Sequence, residues 1–377
     1  MTPLLSEAEV VERIFNHIDN NSTDTGSDVW QEPVVNYLSM ERFEAEIQLL
    51  RRLPVAFCPS AGLPEPGSYI ARRAAGVPLL VVRGNDGVIR AFRNVCRHRG
   101  MAVAKDGTGC AQSFVCPYHS WVYDLDGSLK RIADSEGFPG LDFSRHGLKP
   151  VHAVEERSGI VFVTQEEPVA EGPLSALPDL LSPDQVMFND ISFVDQANWK
   201  LIQETSMEGY HIASLHKDTF GPYGFHNLNV VETFGTNSRI VFPFKRINKL
   251  RDKPVTERRL AGMVTDVYQL FPNTHVSVLS NHSHMIILEP LSPTETEWVV
   301  YQVSNHAPDS EHKTNISEAK RDASFVQDTG LMEDRDAACS IQAGLASGAN
   351  EHLTFGHYEK AAAHFHRTLT EHLPLLG

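Results

Sequence analysis

The chain of 377 residues is 41% hydrophobic and 21% charged, long enough for two domains with cores of their own. Its formal charge of −15 argues against a nucleic-acid partner, since a phosphate backbone rewards Lys/Arg patches and repels such a surface. No run nears the ~18 apolar residues of a membrane span. The opening MTPLLSEAEVVERIF turns acidic too soon for a signal peptide. Cysteines at 58, 96, 110, 116 and 339 are too sparse for a disulfide scaffold, so the expected setting is a reducing cytoplasm without membrane contact.

In chain order, residues 1–45 read as one or two helical pieces around the polar loop NNSTDTGSD, packing on the larger domain that follows. Residues 46–165 turn to short strands. VPLLVVRGNDGVIRAF is two β-rich runs about Asn85-Asp86-Gly87, WVYDLDGSLKRI repeats the pattern about Asp126-Gly127, and GIVFVTQ closes this part. The Pro- and acid-rich stretch 166–185, EEPVAEGPLSALPDLLSPDQ, reads as a linker. Residues 186–377 then hold a helical segment with two histidines (196–216) and β-rich stretches such as THVSVLSNHSHMIILEPL and EWVVYQV. A helical third follows from about 315. The fold class is α+β: a small all-β domain, then a larger domain with a sheet flanked by helices.

The segment NVCRHRGMAVAKDGTGCAQSFVCPYHSW carries Cys96 and His98, then Cys116 and His119 after a gap of seventeen residues. Two short-spaced pairs on converging loops suit a metal. Tetrahedral zinc also takes two Cys and two His, but zinc sites more often pair like with like. A [2Fe-2S] cluster with two thiolates on one iron and two imidazoles on the other needs mixed pairs of this kind. Pro117 presets a turn in the second loop, and Trp121 is placed to shield what the loops hold. The pattern C-x-H-x17-C-x2-H resembles the Rieske signature of the ring-hydroxylating and related non-haem iron oxygenases. Residues 46–165 would then be the Rieske domain, with Cys110 a structural thiol outside both pairs.

A Rieske domain alone leaves some two hundred residues to explain. In NWKLIQETSMEGYHIASLHKDTF, read at helical period, Leu201, Glu204, Glu208, His211 and Leu215 share one face. His216 lies ~140° around an ideal helix from His211, so both reach one ion only if the helix bends or ends between them. The pattern E-x-x-H-x4-H, following a Rieske motif, resembles the iron-binding segment of the same family. The resemblance implies that His211 and His216 bind a mononuclear ferrous ion. It also implies that Glu208 links this site to a cluster-ligating histidine of a neighbouring subunit. That acid is more often Asp; Glu occurs among members resembling the carnitine and related quaternary-amine oxygenases. Glu204-Thr205 stands where Glu-Asn is commoner.

A third ligand should be a carboxylate, completing a two-His-one-carboxylate face. In TGLMEDRDAACSIQAGL, Leu331, Asp334, Ala338, Ile341 and Leu345 form a stripe that Asp334 interrupts, whereas Asp336 lies off it and Asp328 is a weaker candidate. The same stretch, with FGHYEKAAAHFHR after it, resembles the family's C-terminal region, where the acid of a Glu-Asp pair is the ligand; this favours Asp334. His282, His284, His364 and His366 read as structural. Phe220, Tyr223 and Phe225 could line an aromatic pocket, cage a quaternary ammonium or belong to the core.

The resemblance implies a terminal oxygenase component. Electrons would pass through a Rieske [2Fe-2S] cluster to mononuclear Fe(2+), and oxygen from O2 would enter a small aromatic or quaternary-amine substrate by hydroxylation or oxidative demethylation. With no G-x-G-x-x-G after a strand, electrons must come from a separate NAD(P)H-dependent reductase, with or without a ferredoxin. The family arrangement implies a homotrimer. Two rival readings remain open at this stage: a Rieske electron-transfer protein without oxygenase activity, and a zinc-ribbon interaction module.

Overall fold

Turn chemistry builds the β-rich part as expected. Asn85-Asp86-Gly87 joins the strands Val77–Arg83 and Ile89–Arg93, and Asp126-Gly127 joins Val122–Tyr123 to Leu129–Arg131. The computed structural model, which describes residues 4–305 and 316–376, arranges this part as three small antiparallel sheets. One holds Ala153–Arg157, Ile160–Thr164 and Val55–Pro59; the second Ile89–Arg93, Val77–Arg83, Ser68–Ala74 and Gly107–Cys110; the third Phe114–Val115, Val122–Tyr123 and Leu129–Arg131. Leu80, Val82, Phe92, Phe114, Tyr123 and Leu125 form one apolar cluster under the loops that carry Cys96 and Cys116.

The larger domain is built on a seven-stranded antiparallel sheet. Its spatial order is Met187–Asp195, Glu295–Ser304, His282–Ser292, Thr274–Val278, Val264–Leu270, Asn237–Pro243, Val230–Phe234. Alternate residues of its central strands serve two cores, as the period of two in a strand requires. Met285, Ile287, Val299 and Tyr301 pack with Phe57, Val161 and Phe162 of the β-rich part. Ile286, Leu288, Trp298 and Val300 face the helices Met40–Arg52, Trp199–Thr205, Gly330–Leu345 and Lys360–His372. The α+β class therefore stands, with both faces of the large sheet covered. Among the described residues, no helix is long and apolar enough to cross a membrane.

Two segments differ from their expected character. The helix Met40–Arg52 runs through residue 45, and its Leu49 and Leu50 belong to the core of the larger domain. The stretch 166–185 is no loose tether: Leu174 and Leu181 are buried, and Asn237 Nδ2 donates to the Pro173 carbonyl at 2.9 Å. Leucines spaced among prolines and acids supplied that packing, which composition alone hides.

A buried ion pair joins the two domains. Arg72 reaches Glu289 on the large sheet at 2.5 Å and donates to the Phe57 carbonyl, while the other Glu289 oxygen accepts from Ala75 N–H at 2.9 Å. Removing one partner of a buried pair strands the other, at a cost of about 3–5 kcal/mol, whereas replacing both by apolar residues is often near neutral. Glu289→Ala is expected to lower the denaturation midpoint strongly, and Arg72→Met/Glu289→Met to recover most of it. Chemical denaturation of both variants measures this.

Candidate metal centres

The two loops near residue 100 repeat one turn. Cys96 N–H donates to the Met101 carbonyl at 2.8 Å and Gly100 N–H to the Cys96 carbonyl at 2.9 Å. In the second loop Cys116 N–H donates to Trp121 O at 2.8 Å and Ser120 N–H to Cys116 O at 3.0 Å. The fourth residue after each cysteine has positive φ, +82° at Gly100 and +56° at Ser120, which lets the chain reverse within so few residues. Asn94 locks the first loop from behind, accepting from Val103 and Ala104 N–H and donating to the Ala104 carbonyl.

These matched turns bury both cysteines and leave both histidines half-buried at the surface. His98 and His119 turn their Nδ1 atoms toward each other, 3.1 Å apart. His98 stacks flat on buried Trp121, ring centroids 5.0 Å apart, so the expected shielding role of Trp121 has a contact behind it. The Tyr123 hydroxyl accepts from Arg97 N–H at 2.9 Å and lies 3.2 Å from Cys96 Sγ, placed to donate to a thiolate. Burial, ahead of the neighbouring Cys96, pushes the Cys116 thiol up, so a thiolate at Cys116 calls for a cation beside it. Sulfurs inside and paired imidazole nitrogens outside fit the two irons of a Rieske cluster. Cys110 is exposed at a strand end, apart from both pairs, and serves no core.

The second centre depends on a helix that stops early. Asn198 caps it, its side chain accepting from Lys200 N–H, and Lys200 is buried against Glu46 with both carboxylate oxygens at 2.8 Å. The helix covers only Trp199–Thr205, not 196–216. Thr205 and Ser206 donate their hydroxyls to the Ile202 and Gln203 carbonyls, competing for the groups that the next turn needs. Glu204 thus stays on the helix, bonded to Tyr37 and to buried His366, whereas Glu208, His211 and His216 lie in the turns beyond. The helical-face reading of Glu208 and His211 is corrected accordingly. A break before both histidines also removes the angular obstacle between them.

Glu208 organises the first turn. One carboxylate oxygen accepts from the Tyr210 and His211 N–H groups, and the other faces His211 Nδ1. His211 Nε2 is left pointing at His216 Nε2, 3.1 Å away. The helix Gly330–Leu345 brings Asp334 to the same point, its Oδ1 3.1 Å from His216 Nε2 and 3.6 Å from His211 Nε2. Ligand atoms of the three residues all lie within 4.8 Å of one another. Donors about 2.1 Å from one metal and at right angles to each other sit about 3 Å apart. Asp334 Oδ1 is buried and makes no well-directed hydrogen bond, as an oxygen whose lone pair faces a shared cation would. Burial alone would lower both imidazoles, but Glu208, ahead of Asp334, raises His211, and Asp334, ahead of Glu333, raises His216. The donor set attracts positive charge.

Asp336 is exposed and Asp328 bonds Ser324, so neither reaches this point. Ile341, placed on the apolar stripe by its spacing, is also exposed. Of the three aromatic candidates, Phe220 packs beside His216, ring centroids 5.2 Å apart, and a Cβ on Gly330 would strike its ring. Tyr223 is exposed, and Phe225 packs in the N-terminal helix cluster. His282 and His284 are buried on the large sheet, bonded through their Nε2 atoms at 2.7 Å, and burial holds His282 down at about 4. Sequence reasoning missed Glu333, whose Oε2 lies 2.7 Å from His216 Nδ1 and accepts from Thr219 Oγ1 at 2.7 Å. Its adjacency to Asp334 was the available signal.

Two family models match consecutive parts of the chain: the Rieske [2Fe-2S] domain over residues 54–141, and the ring hydroxylating alpha subunit (catalytic domain) over residues 187–374. The chain belongs to the Rieske non-haem iron oxygenases. A Rieske oxygenase chain with both domains has a Rieske [2Fe-2S] cluster and a mononuclear iron as its cofactors. The glycine betaine monooxygenase oxygenase subunit of Chromohalobacter salexigens is 38% identical over 41% of this chain, a stretch spanning only 36% of that relative. The carnitine monooxygenase oxygenase subunit of Escherichia coli is 28% identical over 91% of this Rieske oxygenase chain and 94% of its own. A crystallised quaternary ammonium Rieske monooxygenase superposes with a TM-score of 0.77 at 22% identity, covering 99% of each chain, which shows a shared fold.

Proposed function

We propose that this chain is the terminal oxygenase component of a Rieske system acting on a small quaternary amine, by hydroxylation or oxidative demethylation. One observation carries the reading: a single chain preforms a thiol-and-imidazole cradle and, separately, a two-His-one-carboxylate cluster. An electron carrier would need only the first. In this reading Cys96, His98, Cys116 and His119 hold the cluster, and His211, His216 and Asp334 hold the iron. Together the two centres supply single electrons and a ferrous site that binds O2 beside substrate. The protein's own part is placement. Matched turns orient the cluster imidazoles, Glu208 and Glu333 orient the iron imidazoles, and Phe220 covers one side of His216. The curated relatives named for glycine betaine, carnitine and choline support the amine class over an aromatic substrate. Electrons would come from a separate NAD(P)H-dependent reductase, directly or through a ferredoxin, to a homotrimer in the cytoplasm. The test is substrate-dependent NADH and O2 consumption with a reductase present. Quaternary amines should be turned over and naphthalene should not; the reverse would replace the amine reading with an aromatic one.

Glu208 has a second role in this reading. Its carboxylate holds His211 yet remains partly exposed, next to exposed Tyr210, whose ring meets that of exposed Tyr358. We propose that its outer edge meets a cluster histidine of a neighbouring subunit and couples the two centres. Glu208→Gln is expected to keep the cluster spectrum and most of the iron while turnover with the native donor falls by about 10–100-fold. Near-normal turnover would remove the coupling role.

A further inference from the structure

We propose that Glu333 is a positioning residue for the mononuclear iron, holding the His216 ring in the tautomer and orientation that present Nε2 to the metal. The inference rests on the reading of His211, His216 and Asp334 as the iron site. An imidazole that offers its Nε2 lone pair to a cation keeps its proton on Nδ1, and the partner of that N–H selects the tautomer. At His216 that partner is Glu333 Oε2, 2.7 Å away. The side chain is only 3% exposed, so water is poorly placed to substitute. The same oxygen accepts from Thr219, in the turn that follows His216, so the carboxylate is itself held at two points.

Consecutive residues of one helix point about 100° apart. Glu333 can therefore grip the outer nitrogen of His216 while Asp334 meets the inner one from the same helical turn. The next residue, Arg335, seats that turn: it binds Asp195 through two nitrogens, at 2.6 and 2.7 Å, and lies over the Phe193 ring at 4.0 Å. Three successive charged residues thus have three separate tasks. His211 has its orienting acid within its own turn, at Glu208. His216 takes its acid from 117 residues further along the chain, which makes its ring orientation depend on how the helix Gly330–Leu345 is seated.

A merely structural tie would change stability without changing the metal. The test uses the full protein with its oxidised cluster, which is EPR-silent, after gentle removal of the mononuclear iron. Mn(2+) is titrated in, and the free ion is counted by its sharp EPR signal. Glu333→Ala should weaken Mn(2+) binding by about 10–100-fold. Glu333→Gln, whose amide oxygen still accepts from Nδ1–H, should lose less, and Thr219→Val should lose least, in the same direction. The reduced-state cluster signal should be unchanged in all three. Parental Mn(2+) affinity in Glu333→Ala, or in Glu333→Met should the alanine variant fail to fold, overturns the proposal. His216→Ala separates the two levels: if it binds Mn(2+) like the parent, the iron-site reading itself is wrong.

Discussion

Asp334→Ala is expected to lose its mononuclear iron and all turnover while the protein stays brown. The carboxylate oxygen sits 3.1 Å from His216 Nε2 with no well-directed hydrogen bond of its own, so its surroundings are arranged for a cation. Two imidazoles without a carboxylate present no negative charge to a divalent ion. The loss should therefore exceed the ~10–100-fold that an outer-shell partner commands. Asp334 pairs with His211 and His216 rather than with the cluster loops, so the reduced-state Rieske EPR signal should persist. Asp336→Ala, at an exposed position two residues on, should retain iron and behave as the parent. Metal analysis of the two purified variants decides the matter. Iron kept in Asp334→Ala and lost in Asp336→Ala would mean that the wrong acid has been chosen.

Cys96→Ser is expected to abolish the reduced-state Rieske EPR signal and the brown colour while mononuclear iron remains. A serine oxygen is a harder and less polarizable donor than a thiolate, and iron–sulfur chemistry favours the thiolate. Tyr123, aimed at Cys96 Sγ, would then face a hydroxyl inside a buried pocket. His119→Ala should give the same spectroscopic result through the other iron, with less strain on the loop because its ring is partly exposed. The parent spectrum also tests the zinc alternative, since a zinc site is colourless. A brown, EPR-active Cys96→Ser variant would remove Cys96 from the ligand set.

The sequence by itself determined what local chemistry dictates. The Asn85-Asp86-Gly87 and Asp126-Gly127 turns, the β-rich runs beside them and the mixed Cys/His pairs are all settled within a few residues. The structure realises the turns and strands and brings the four residues of the pairs together. Asp334 stood out as a candidate because a carboxylate interrupting an apolar stripe shows at helical period, and the structure brings it to His211 and His216.

Other features depended on groups far apart in the chain. The histidine segment looks helical by spacing, yet hydroxyls at Thr205 and Ser206 take the carbonyls, and a Cβ on Gly209 would lie 2.5 Å from the Asn229 side chain. Periodicity registers which residues are apolar, not which backbone acceptors are already occupied. Whether Phe220, Tyr223 or Phe225 packs beside His216 was likewise open until the helix Gly330–Leu345 docked against Phe220. Glu333 and Asp334 are adjacent acids, of which the stripe singled out Asp334 and left Glu333 without a role. Only the tertiary structure assigned one to the inner nitrogen of His216 and the other to its outer nitrogen, because that choice is made by the angle at which one helix meets a turn 117 residues earlier in the chain.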